Sequence, residues 1–155
     1  MLGKVLIIED SEDTAHLEAE VLANAGYAAV RALGGDALYI AEHGGIDAVV
    51  LDLQLPYLSG AAILASLHEH PATKDLPVIM VTGVVGGEEA TRRLGAQGYI
   101  LKPFVVDDLV AAVDVATGHV RAGAGDAARP IGQGAGDPSP ATDGTNEQIA
   151  TQGRP

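Results

Sequence analysis

Cysteine is absent from the 155-residue chain. That excludes disulfides, thiolate metal sites and a cysteine nucleophile. Aromatic residues make up only 3% against 47% hydrophobic, so the core of a domain this size is aliphatic and alanine-rich. Basic residues are scarce, with nine Lys and Arg against 21 Asp and Glu and a formal net charge of −12. A surface of that sign repels phosphates and makes nucleic acid a poor direct partner. No apolar run approaches the ~20 residues of a membrane-spanning helix, so no membrane partner is expected. The opening Met1-Leu2-Gly3-Lys4-Val5-Leu6-Ile7-Ile8 runs straight into acids, too short for a signal peptide and without a small-residue cleavage site. A soluble cytoplasmic protein is the expectation.

What is present is a set of short apolar runs that end in polar residues. Ile46-Asp47-Ala48-Val49-Val50-Leu51-Asp52 is the central one. Ala48 to Leu51 do not alternate, the pattern of a strand buried on both faces of a parallel sheet. Asp52 then stands at the carboxyl end of a central strand, with Pro56, Ser59 and Gly60 supplying later turn and helix-start signals. A strand is expected at Val5–Ile8, followed by a helix capped by Ser11, with Leu17, Val21, Leu22 and Ala25 as its inward face. Further strands are expected at Tyr27–Ala32, Val78–Thr82 and Gly98–Lys102. Further helices are expected at Asp36–His43, Gly60–His68, Glu88–Leu94 and Val106–Ala116. In the last of these, Leu109, Val110 and Val113 form the apolar stripe. Strands alternating with helices imply an α/β, doubly wound, five-stranded parallel sheet with helices on both faces. The pattern alone does not give the strand order. Residues 3–118 read as this domain. Residues 119–155 are rich in Gly, Ala and Pro, with Ile131 and Ile149 the only large aliphatics after Ala122. Such a tail cannot offset its ordering entropy and is expected to be disordered.

In a parallel sheet the carboxyl ends of the strands share one edge. The first strand brings Glu9 and Asp10 there, the third Asp52, the fourth Thr82 and the fifth Lys102. Three carboxylates together call for a cation, and hard oxygen donors at an open edge suit Mg²⁺. A lysine and a hydroxyl beside them suit the oxygens of a phosphoryl group.

Four pieces in order then carry a resemblance. They are Ile7-Ile8-Glu9-Asp10, Leu51-Asp52 with Leu55-Pro56 and Ser59-Gly60, Val81-Thr82-Gly83, and Tyr99-Ile100-Leu101-Lys102-Pro103-Phe104. Together the chain resembles the receiver domain of two-component response regulators, of the stand-alone single-domain type. The resemblance implies a flavodoxin-like sheet of order 2-1-3-4-5. It implies that Asp52 is the phosphoacceptor, receiving its phosphoryl group from a sensor histidine kinase or a histidine phosphotransfer protein. Asp10, Asp52 and the backbone carbonyl of Gln54 would bind Mg²⁺, with Glu9 acting on the ion. Thr82 and Lys102 would hold phosphoryl oxygens, and the Lys102–Pro103 bond would be cis. Thr82 and Tyr99 would form the switch, read out by a downstream protein on the face made by the fourth helix, fifth strand and fifth helix. Arg92, Arg93, Asp107 and Asp108 would lie on or near that face.

Departures from the pattern are Glu9, where Asp is frequent, Gly83, where Ala is usual, and the pair Gln54 and Val84. An apolar Val84 cannot orient an attacking water, so fast self-dephosphorylation is not expected. Such a domain is no enzyme beyond catalysing its own phosphoryl transfer and dephosphorylation. The alternative is a receiver-like scaffold that binds partners without phosphorylation. A flavin or nucleotide binder of similar class lacks support, because Glu9-Asp10-Ser11 stands where a glycine-rich or hydroxyl-rich phosphate loop would be needed. His16, His68 and His70 read as solvated surface residues.

Overall fold

The computed structural model of the chain describes residues 1–56, 59–83 and 86–119. The expected tail disorder beyond His119 and the role of Val84 lie outside these residues, while His119 itself is held by its amide, which donates to the Asp114 carbonyl at 2.7 Å. Five strands alternate with five helices: β1 Lys4–Ile8, α1 Glu12–Asn24, β2 Ala28–Ala32, α2 Gly34–His43, β3 Ala48–Asp52, α3 Gly60–Glu69, β4 Val78–Thr82, α4 Glu88–Arg93, β5 Gly98–Leu101 and α5 Val106–Thr117. All strand pairs are parallel and the order is β2-β1-β3-β4-β5. This is the expected doubly wound architecture, with β1, β3 and β4 inside and β2 and β5 at the edges.

The non-alternating runs are explained by two cores, one on each face. Leu6, Ile8, Val49, Leu51, Val78 and Met80 point to one side and pack with Ala37 and Ala41 of α2 and with Ile63, Leu64 and Leu67 of α3. The intervening Val5, Ile7, Val50, Ile79, Val81 and Ile100 point to the other side. There they meet Ala15 and Leu22 of α1 and Leu109, Ala112 and Val113 of α5. Each fully buried large aliphatic contributes about 1.5–3 kcal/mol relative to exposure. Polar residues in these strands would leave one of the two cores unfilled.

Two serines start helices as expected. Ser11 Oγ accepts from the Thr14 amide, and Ser59 Oγ accepts from the Ala62 amide. Because Ser59 caps α3, Asp52 does not have to. Gly60 follows at a close backbone crossing. A Cβ there would stand 2.2 Å from the Asp52 carbonyl oxygen and 2.7 Å from Leu53 Cα. Gly118 ends α5 with φ +80°, a conformation that favours glycine.

The inward face of α1 differs from the expectation. Ala15, Glu18 and Leu22 are buried, whereas Leu17 is 45% exposed and Val21 and Ala25 are half-buried. A second apolar surface draws Leu17 away from the sheet. It lines a groove with Thr14, Lys102, Pro103 and Phe104. Strand β5 stops at Leu101, so Lys102 stands just beyond it, and β2 begins after Tyr27. The stripe expected on α5 is met by Leu109 and Val113, while Val110 is half-buried.

Candidate phosphoacceptor site

The parallel register sets the site. Ile8 is level with Leu51, Asp52 with Val81, and Thr82 with Leu101. Glu9 and Asp10 after β1, Asp52 ending β3, Thr82 ending β4 and Lys102 after β5 therefore meet at one edge. Glu9 and Asp52 are buried, Asp10 is exposed, and one oxygen from each of the three lies within 4.8 Å of the others.

Lys102 binds two of these acids. Its Nζ donates to Glu9 Oε2 at 2.8 Å and to Asp52 Oδ2 at 3.3 Å. The remaining oxygens are held by backbone. The Ser11 amide donates to Glu9 Oε1 and the Gln54 amide to Asp52 Oδ1, each at 3.1 Å. The Lys102 amide donates to the Thr82 carbonyl at 2.7 Å, which ties the end of β5 to the end of β4. The Lys102–Pro103 bond is cis.

Burial pushes the Glu9 carboxyl above its ordinary value. The Lys102 hydrogen bond opposes this, the Asp52 charge adds to it, and the Ser11 amide and the Lys102 charge oppose it further. Burial alone would lower Lys102. Its bond to Glu9, the charges of Asp52 and Glu9 and its bond to Asp52 outweigh burial, so the ammonium is held above its ordinary value.

The donor set suits a hard divalent cation. It offers carboxylate oxygens only, carries more negative charge than one lysine offsets, and leaves Asp10 facing solvent where waters can complete the coordination. Glu9, Asp10 and Asp52 are compatible with Mg²⁺. Among the described residues, this is the only group of three or more carboxylate or imidazole side chains close enough to share an ion.

Thr82 is fully buried at its strand end. Tyr99 is half-buried against the core with its hydroxyl toward Gly87; a Cβ on Gly87 would lie 3.3 Å from that oxygen. The histidines stay apart from the site. His16 is surface-exposed, 3.9 Å from Glu20, and His70 is half-exposed beside Glu42. His68 lies against Gly95. On α4, Glu89 pairs with Arg92 one turn on and, at 3.6 Å, with Arg93.

Two buried acids lie outside the sequence expectations, Glu18 on α1 and Asp114 on α5. Glu18 is fully buried on α1. Its signal was its spacing: it lies three residues after Ala15 and four before Leu22, on the face those two define. Its polarity hides it from a search for apolar stripes.

The family model of the response regulator receiver domain matches residues 5–114. The polar-differentiation response regulator DivK of Brucella ovis is 34% identical over 109 residues, covering 68% of this chain and 89% of that protein. A putative response regulator of Chloroflexus aurantiacus has a crystal structure that superposes with a TM-score of 0.71 at 32% identity, covering 76% of this chain and 98% of that one. A chemotaxis response regulator of Vibrio cholerae gives 0.68 at 25% identity, covering 75% and 99%. No helix among the described residues is long and apolar enough to cross a membrane. With this sheet order and this acidic edge, the chain belongs to the receiver-domain family of response regulators, which are signalling domains and not conventional enzymes.

Proposed function

We propose that Asp52 accepts a phosphoryl group from a phosphohistidine on a sensor kinase or phosphotransfer protein. The observation that carries this reading is one ammonium bridging Glu9 and Asp52 at the open edge of the sheet. An Asp52 oxygen attacks phosphorus, the P–O bond forms as the P–N bond breaks, and the imidazole leaves. Glu9, Asp10, Asp52 and the Gln54 carbonyl would hold Mg²⁺, which would supply charge neutralisation for the transferred group. Lys102 exchanges its Asp52 contact for a phosphoryl oxygen, and Thr82 donates its hydroxyl to another. The protein's task is placement and electrostatics, which is most of what phosphoryl transfer requires. A groove of about 380 Å³ lined by Thr14, Leu17, Lys102, Pro103 and Phe104 lies beside the site's ammonium. The acyl phosphate later hydrolyses in the same site.

The readout follows from one moving hydroxyl. As Thr82 turns to the phosphoryl oxygen, Tyr99 follows inward, and the face of α4, β5 and α5 changes for a downstream protein. In this reading, residues 3–118 are the signalling unit, 119–155 a tail, and the protein acts in the cytoplasm. Intact-mass measurement after incubation with a small phosphodonor and Mg²⁺ tests the proposal. A labile phosphoryl adduct is expected on the native chain and not on Asp52→Asn. Equal adducts on both would refute it, and no adduct on either would favour the phosphorylation-independent scaffold.

A further inference from the structure

Glu18 lies midway along α1 with its side chain toward the sheet, 0% exposed. Neither carboxyl oxygen has a hydrogen-bond partner among the described residues. A lone carboxylate in such a layer is strongly disfavoured, whereas the neutral acid is disfavoured far less. Among the described residues, the surrounding elements supply no cation that is not already engaged elsewhere. Glu9 after β1 and Asp52 at the end of β3 disfavour a further negative charge. Lys102 after β5 favours it but is engaged with both of those acids. From α5 the buried acid is Asp114, which accepts from the Tyr27 hydroxyl. From β2 the only charge is Arg31, turned outward to Glu12 at 2.8 Å. On α1 itself His16 and Glu20 face solvent. Burial first, then Glu9, raise the Glu18 carboxyl to about 8, with Lys102 opposing and Asp52 adding.

We propose that Glu18 is a proton lock on α1: the helix docks on the sheet with this carboxyl neutral, and loss of the proton loosens the helix. The docked state holds one proton more than the detached state between the ordinary carboxyl range and the raised value. Docking is therefore strongest below the ordinary range, weakens as pH rises and levels off above about 8. Neutral pH falls inside that window. Because α1 carries Thr14 and Leu17 on the rim of the groove beside Lys102, the lock makes that groove sensitive to pH. The inference concerns the helix alone and does not depend on phosphorylation.

Hydrogen exchange of the α1 amides, residues 12–24, in the full chain tests it. The native chain is compared with Glu18→Gln and Glu18→Leu from about pH 5.5 to about 8.5, after correction for intrinsic exchange rates. The open fraction of α1 in the native chain should climb relative to both variants by up to roughly tenfold per pH unit and then flatten. Parallel pH profiles in the native chain and Glu18→Gln would overturn the proposal. Should Glu18→Leu not fold, infrared spectroscopy of the native chain decides. The carbonyl stretch of a protonated carboxyl is expected at neutral pH and lost in Glu18→Gln; its absence from the native chain would equally overturn the lock.

Discussion

Lys102 and Asp52 are linked at 3.3 Å across the carboxyl edge of the sheet, although fifty positions separate them in the chain. The same ammonium reaches Glu9 at 2.8 Å. One lysine thus compensates two buried acids. Removing it should have two opposite effects.

Lys102→Met leaves Glu9 and Asp52 without their cation and should destabilise the metal-free protein by about 1–3 kcal/mol, measured by denaturant unfolding. The same change removes a competing positive charge, so Mg²⁺ should bind about fivefold more tightly or better. Calorimetric titration checks the second effect, and an unchanged or weaker affinity would contradict it.

If Mg²⁺ binds at this edge as proposed, its pH dependence should follow Glu9, whose carboxyl burial raises above its ordinary value. On acidification Glu9 takes up its proton earlier than an ordinary carboxyl, and the ion loses a ligand. Affinity should fall as pH drops, beginning above the usual carboxylate range. For stability the sign is reversed. The folded chain holds the Glu9 proton more firmly than the unfolded chain. This contribution is full below the ordinary value and lost as pH rises through the raised one. Glu9→Gln should remove the Glu9 share of both dependences in parallel titrations, leaving the stability change with pH that Glu18 carries.

Gly60 permits the close crossing at the end of β3. A Cβ would meet backbone at 2.2 Å, and backbone cannot rotate away as a side chain can. Gly60→Ala should destabilise the fold by about 2–4 kcal/mol and slow phosphoryl uptake by displacing Asp52. Thermal unfolding and adduct kinetics measure the two together. Gly35→Ala is the control, because no atom lies within 4 Å of the added methyl.

A buried polar cluster anchors the opposite end of the sheet. The Tyr27 hydroxyl donates to Asp114 and stands 3.1 Å from Thr117 Oγ1, which in turn lies 2.9 Å from His119 Nδ1. Tyr27→Phe removes a hydrogen bond to a buried acid and should destabilise by about 1–3 kcal/mol. Phosphoryl uptake should be unaltered, since the cluster is remote from Asp52. A Tyr27→Phe chain as stable as the native one would contradict the assignment.

The apolar runs at 5–8, 48–51 and 78–81 announce buried strands because both faces of this sheet are covered, and no polar residue can interrupt them. Their polar ends were equally legible, since a polar side chain is tolerated only where the covering helices stop. Strand order was not derivable from pattern alone, because it depends on which distant strands pair; only the resemblance supplied it. The buried face of α1 departs from its apolar periodicity for a related reason. Periodicity selects Leu17, but the Pro103–Phe104 loop offers it a second apolar surface, and Glu18 takes the place against the sheet. The Lys102 bridge to Glu9 likewise depends on a contact across 93 positions that no local spacing encodes.

Reductive trapping is the most direct check on phosphoacceptance. The full chain is treated with a small phosphodonor and Mg²⁺, reduced with borohydride and digested, and the converted residue is located by peptide sequencing. Conversion of Asp52 alone, dependent on Mg²⁺, is the expected result. Conversion at Glu9 or Asp10 in place of Asp52, or no conversion under conditions where a known receiver domain reacts, would contradict it.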